Sequence, residues 1–271
     1  MAKNNLPRAK KRFGQNFLLD TEILQKIISA AEVSPADTVL EIGTGTGILT
    51  NALAKTAGRV ISVEIDRELY AKYAELLQIS GKVQVLLGDF LASAEKIFAG
   101  VVGRLKVIAN IPYYITTPIL EKLLDYRAQI SSITLLVQKE VAERICAEPG
   151  NADYGSLTIF LRYYADAELI CIVPAEAFQP RPQVDSALLR LNIRPELKYK
   201  PRSEKRFFKI VRGAFWGRRK TLRNTLKQSP YTHYTAAMLA KLEQNTGIDL
   251  SRRGETLGIE EFVALADVRF E

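Results

Sequence analysis

Histidine is almost absent from this chain: one residue, His233, in 271. It stands in a polar, Tyr-rich stretch with no ligand-type neighbour, which argues against histidine-based acid–base catalysis and most zinc chemistry. Cysteine is nearly as scarce. Cys146 and Cys171 lack metal-ligand spacing and read as two small core residues in a reducing, cytoplasmic setting. No apolar run approaches the ~18 residues of a membrane span, so no membrane partner is expected. The stretch Met1 to Arg12 is basic but has no apolar core, so it is not expected to be a signal peptide. Acidic residues are missing from two places. Lys198 to Lys227 holds twelve Lys and Arg against one Glu, and five basic residues from Lys3 to Arg12 precede the first acid, Asp20. The net charge of +8 is thus an excess at two sites over an acidic body. That asymmetry points to a polyanion; a solvated helix face with a loose basic tail is the plainer alternative.

What is present is a strand–helix alternation. Apolar runs at Thr38–Ile42, Arg59–Val63, Val83–Leu87, Leu105–Ala109 and Ile133–Val137 predict strands. Helical spacing falls between or after them at Ile48–Thr56, Arg67–Gln78, Ile119–Tyr126 and Lys139–Ala147. This order predicts an α/β fold: a mostly parallel, Rossmann-like sheet with helices on both faces. Glu168–Val173 and Ser186–Ile193 predict an antiparallel hairpin at the sheet edge. After Arg194-Pro195 the composition changes, and from Ser203 the pattern is helical. Two domains are expected: 1–195, with 1–20 as a basic arm and cofactor motif, and a small all-helical domain, 196–271. Arg219, Arg223 and Lys227 recur at i, i+4, i+8 opposite Leu222 and Leu226, so a basic helix face is predicted. With Arg218 and Lys220 they form the candidate nucleic-acid-binding set.

Four strand ends carry the chemistry. Glu41-Ile-Gly43-Thr-Gly45-Thr-Gly47 leaves the first strand for a helix, and glycine there permits close backbone approach to a ligand. The dinucleotide fingerprint wants its third glycine where this chain has Ile48, which counts against NAD. The spacing resembles the turn that holds the amino-acid part of S-adenosylmethionine. Glu64 ends the second strand, where an acid can accept ribose hydroxyls. Asp89, next to Phe90, ends the third, where it can take an adenine amino group. Alone, each acid reads equally well as a solvated strand-end residue. The fourth strand ends in Asn110-Ile111-Pro112-Tyr113. A carboxamide oxygen and a turn carbonyl can each accept one hydrogen of an exocyclic amine, and the Tyr113 ring can stack on the base. Phe178, in Phe178-Gln-Pro-Arg-Pro182, is the candidate for the opposite face. Together these features predict a methyltransferase acting on an amino group of a base.

With Phe13-Gly-Gln-Asn-Phe-Leu18 and Phe215-Trp-Gly-Arg-Arg-Lys220, the chain resembles the KsgA/Erm family of rRNA adenine dimethyltransferases over nearly its full length. The resemblance implies a class I methyltransferase domain, S-adenosylmethionine as methyl donor, and contacts to it from Asn16, Leu18, Gly43, Glu64, Asp89 and Asn110; Gly45 and Phe90 join that set by position. It also implies dimethylation of two adjacent adenosines near the 3′ end of small-subunit rRNA within a 30S precursor, by a monomer. The alternatives are a large-subunit rRNA adenine methyltransferase conferring macrolide resistance, and an assembly factor whose catalysis is dispensable.

Overall fold

A computed structural model describes residues 6–217 and 219–270. The chain divides into two compact units. The first comprises the chain to Ala142 together with Asp166–Pro195; the second comprises Glu143–Ala165 and Glu196 onward.

The first unit is built on a seven-stranded sheet. Its strands are β2 (Thr38–Ile42), β3 (Arg59–Glu64), β4 (Val83–Leu87), β5 (Leu105–Asn110), β6 (Ile130–Gln138), β7 (Ala165–Val173) and β9 (Ser186–Ile193). They lie in the order β4-β3-β2-β5-β6-β9-β7. The strands β4 to β6 are parallel, and β9 runs antiparallel to β6. Leu105, Val107 and Ile108 of β5 are fully buried, as are Val39 and Leu40 of β2. Such unbroken apolar runs belong to strands covered on both faces. The helices of this unit are α1 (Thr21–Ala31), α2 (Ile48–Thr56), α3 (Arg67–Gln78), α4 (Phe90–Ala99), α5 (Thr116–Asp125) and the start of α6 (Lys139–Cys146). Asp20, Asp66 and Asp89 cap α1, α3 and α4, each accepting a first-turn backbone N–H. The expected edge hairpin is present as β9 flanked by β7, with β7 outermost. One pairing was not foreseen. A separate two-stranded sheet joins β1 (Phe17–Leu18) to β8 (Phe178–Gln179), antiparallel, with Leu18 opposite Phe178.

The chain winds from β2 through β3 to β4, then returns to the other side of β2 to lay down β5. The carboxyl ends of β2 and β5 therefore flank a topological switch point, where ligands bind in open α/β sheets.

The second unit holds α7 (Ser156–Tyr164), α8 (Glu204–Ala214), α9 (Leu222–Gln228), α10 (Ala236–Thr246) and α11 (Ile259–Asp267). Residues 143–165 cluster here, although sequence composition assigned all of 1–195 to the first domain. The reason is aromatic packing: Tyr163 lies 5.0 Å from Phe207 between ring centroids, and Phe160 lies 5.4 Å from Phe208. Among the described residues, no helix is long and apolar enough to cross a membrane.

Candidate active site

The glycine-rich turn leaves β2 with Gly43 at φ 88° and Gly45 at φ 57°, a left-handed backbone that other L-residues resist. A Cβ on Gly43 would meet only the Asn110 carbonyl, at 3.7 Å. Space is therefore left over this turn, and it opens into a cavity lined by all four strand ends.

Glu64 closes one side of that cavity. It is 4% exposed, and each carboxylate oxygen takes one backbone amide: Oε2 accepts from Gly45 N and Oε1 from Asp66 N, both at 2.8 Å. Burial raises its pKa, and those two bonds pull the other way. The Ile65 amide adds a weaker pull in the same direction, and an ionised carboxylate with about four acceptor sites keeps capacity beyond these bonds. Asp89 is exposed and caps α4 by accepting from Leu91 N at 2.9 Å, while the adjoining Phe90 is buried against the cavity. Asp89 thus has a structural role whatever else it binds.

Asn110 is held from behind. Its Nδ2 donates to the Asn16 carbonyl at 3.1 Å, so Oδ1 is the carboxamide atom left over. The Pro112 carbonyl accepts from Ile115 N at 3.2 Å, one bond for an oxygen with two lone pairs. Tyr113 opens a short 3₁₀ turn, is half-buried, and shares a hydrogen bond of 2.6 Å between its hydroxyl and Ser186 Oγ. Asn16, Leu18, Gly43, Gly45, Glu64, Asp89, Phe90, Asn110, Pro112 and Tyr113 all line this one cavity.

Phe178 is not among the residues that line it. Its ring is 3% exposed and packed in the hydrophobic cluster with Leu18 and Val173. Pairing of β8 with β1 places Phe178 opposite Leu18, which holds it in the core.

Two features escaped the sequence reading. Asp66 accepts from Lys10 Nζ at 2.7 Å and from Gln15 Nε2 at 3.0 Å. These bonds tie the segment before β1 to the end of β3. The partners are 56 and 51 positions away, so no local signal exists. Glu41 is wholly buried beneath the glycine turn. Thr50 and Ser62 donate to its Oε2 at 2.6 Å each, and Thr44 Oγ1 lies 2.6 Å from Ser62 Oγ. Since Ser62 spends its proton on Glu41, Thr44 is the donor in that contact. Burial pushes the Glu41 carboxyl up to about 8. An acid inside an otherwise apolar strand was its available signal.

In the second unit the predicted basic helix is shorter than its spacing suggested. Thr221 caps α9, accepting from Asn224 N, so Arg219 and Lys220 lie in the preceding turn. Lys220 bonds Gln228 at 2.6 Å and stands over the exposed Trp216 ring. Arg223 is ion-paired with Glu243. Arg219 and Lys227 are exposed and have no acidic partner among the described residues. Arg218 lies outside the described residues.

A sequence model of the family described as ribosomal RNA adenine dimethylase matches residues 7–265. A relative from Moorella thermoacetica, named ribosomal RNA small subunit methyltransferase A, is 44% identical over 97% of this chain and 93% of its own length. Among solved structures, a dimethyladenosine transferase from Plasmodium falciparum superposes with a TM-score of 0.73 at 28% identity, covering 92% of this chain and 95% of that one. The 23S rRNA methyltransferase ErmE superposes with a TM-score of 0.70 at 27% identity, covering 93% and 98%.

Proposed function

The chain belongs to the ribosomal RNA adenine dimethylase family, and on that premise we propose that it dimethylates the 6-amino groups of two adjacent adenosines near the 3′ end of small-subunit rRNA. The observation that carries this reading is the Asn110 carboxamide and Pro112 carbonyl sharing one cavity with the Gly43–Gly45 turn and Glu64. The small subunit is favoured over the large one by the 44% identity to the Moorella thermoacetica protein, against 27% to ErmE.

The residues present fit S-adenosylmethionine. The turn at Gly43 and Gly45 leaves the space a ligand backbone needs. The remaining acceptor capacity of Glu64 suits ribose hydroxyls, and the exposed Asp89 carboxylate suits an adenine amine. Asn16, Leu18 and Phe90 would complete the walls. When bound, the donor supplies an electrophilic methyl group on a sulfonium.

The chain's own contribution lies at the base. An adenine amine is a poor nucleophile because its lone pair is delocalised into the ring. In the first transfer Asn110 Oδ1 and the free lone pair of the Pro112 carbonyl would each accept one amine hydrogen, and in the second one of them would hold the hydrogen that remains, drawing the nitrogen out of plane and freeing that lone pair; each product cation then loses a proton to water. Tyr113, anchored through Ser186, would stack on one face of the base. The base must leave its own stack to arrive there. Positioning of this kind contributes up to about 7–11 kcal/mol. The reading puts the enzyme at work as a cytoplasmic monomer on a 30S precursor particle.

The test is incubation of the protein and labelled S-adenosylmethionine with unmethylated small subunits, large subunits, naked RNA and DNA, with the modified base mapped by mass spectrometry. Dimethyladenosine in the small-subunit rRNA is expected. Label confined to the large subunit, or to DNA, overturns the reading.

A further inference from the structure

The segment before β1 has two walls. One faces the active-site cavity. The other, with the Gln179–Pro180 turn, encloses a second groove. Gly14, Gln15, Asn16 and Phe17 line both spaces, so the groove runs alongside the cavity, separated from it by these residues.

The cations of this segment divide sharply. Lys10 is neutralised by Asp66 at 2.7 Å and Glu68 at 2.9 Å. Arg12 lies over the Phe13 ring at 4.7 Å. Arg8 and Lys11 are exposed and have no acidic partner among the described residues. Arg8 and Lys11 line the groove, Lys10 and Arg12 do not, and no Asp or Glu lines it with them. Two uncompensated cations in a concave, acid-free channel concentrate positive potential where an anion can enter. The opposite wall offers the Gln179 amide and the Pro180 ring, with no charge of its own.

Resting on the function proposed above, we propose that this groove seats the single-stranded RNA flanking the target adenosine, with Arg8 and Lys11 taking consecutive phosphates. The argument is one of placement and charge. A base entering the active-site cavity remains joined to its neighbours by the sugar–phosphate chain. That chain must leave across the rim, and the Gly14–Phe17 wall is the rim that borders a cationic channel. Lys10, spent on Asp66, holds the wall in place and leaves the channel's charge to its neighbours. Phosphate contacts of this kind position a strand and carry no base specificity, so the groove orients the target without choosing it.

The test is the double variant R8A/K11A in the full-length protein, with K26A/K96A as a control of equal charge change on exposed helix positions elsewhere. Binding to unmethylated small subunits is followed from low to physiological salt, alongside KM for the same particle. The affinity for S-adenosylmethionine, measured by calorimetry, reports that the cavity is intact. Removing two phosphate contacts from a single strand should lower the salt slope by about 1.4 and raise KM roughly tenfold at physiological salt. The control should change neither, and donor affinity should hold in both. An unchanged slope and KM in R8A/K11A, or an equal loss in K26A/K96A, overturns the groove. If the unaltered protein methylates no particle, the functional reading fails on its own account. The salt slope of binding, which needs no turnover, still decides the groove.

Discussion

Asn110 can turn only one way. Its Nδ2 is committed to the Asn16 carbonyl at 3.1 Å, and that bond fixes which atom is left to accept. Asn110→Ala removes the acceptor. Asn110→Asp keeps one oxygen in place but sets the other against the Asn16 carbonyl, where two acceptors repel. Both variants should lose at least ~10²–10³ in single-turnover rate, the scale of one lost preorganised hydrogen-bonding group, while RNA binding persists. Near-normal turnover in the alanine variant would remove the mechanism. Glu41 allows a test by pH. Its buried carboxyl titrates near 8, against an ordinary value of 4.5. Between those values the folded chain holds a proton that the unfolded chain has released. Stability from this group is full at the acid end and falls as pH rises through the window. Glu41→Gln should flatten that fall, so that from pH 5 to pH 8 the wild-type Tm drops further than the variant's. A difference of roughly 2–4 °C corresponds to about 1 kcal/mol in a chain of this size. Parallel Tm–pH curves would show that the group does not titrate there.

At the scale of elements, the segment ending in β1 is a wall of the active-site cavity fastened at three points. They are its pairing with β8, the bond from Asn110 to the Asn16 carbonyl, and Asp66. Burial opposes ionisation of Asp66, but the bonds from Lys10, Gln15 and the Glu68 amide outweigh it and hold the carboxyl below its ordinary range. The tie is therefore present above that range and is lost as pH falls through the lowered value. Asp66→Ala cuts it at every pH. Ligand binding must then order a loosened wall, at ~1–2 kcal/mol of backbone entropy per residue. Affinity for S-adenosylmethionine should fall tenfold or more by calorimetry, with Asn110 and Glu64 untouched. Unchanged affinity would mean that the β1–β8 pairing and the Asn110–Asn16 bond hold the wall without Asp66.

Over the whole molecule, positive charge does not act in proportion to its count. Arg223 belongs to the basic stretch by sequence but is paired with Glu243, so it has less free charge to neutralise a phosphate and displaces fewer of the counterions condensed on the RNA. Arg219 and Lys227 have no such partner among the described residues. Alanine at Arg219 or Lys227 should each lower the salt slope of RNA binding by about 0.7–0.9, and Arg223→Ala by clearly less. Equal effects at all three positions would mean that the Glu243 pair opens on binding. The grouping of residues 143–165 with the C-terminal helices belongs to this scale too. Phe160, Tyr163 and Tyr164 complete an aromatic cluster around Phe207 and Phe208, so one segment of the first 195 residues packs with the C-terminal helices.

The sheet, four of its helices and the strand-end residues were legible in the chain because each rests on local chemistry. A parallel strand needs an apolar run, a left-handed turn needs glycine, and a helix such as Arg67–Gln78 declares itself by spacing and by the Asp66 cap. The chain of residues that meet in the cavity followed, since parallel strands deliver their carboxyl ends to one edge. Tertiary structure alone decided the rest. The burial of Phe178, the Asp66 tie, the Glu41 network and the neutralisation of Arg223 all depend on partners remote in sequence. Their pairing is set by packing and by which charges find an opposite within reach, quantities that no window of sequence contains.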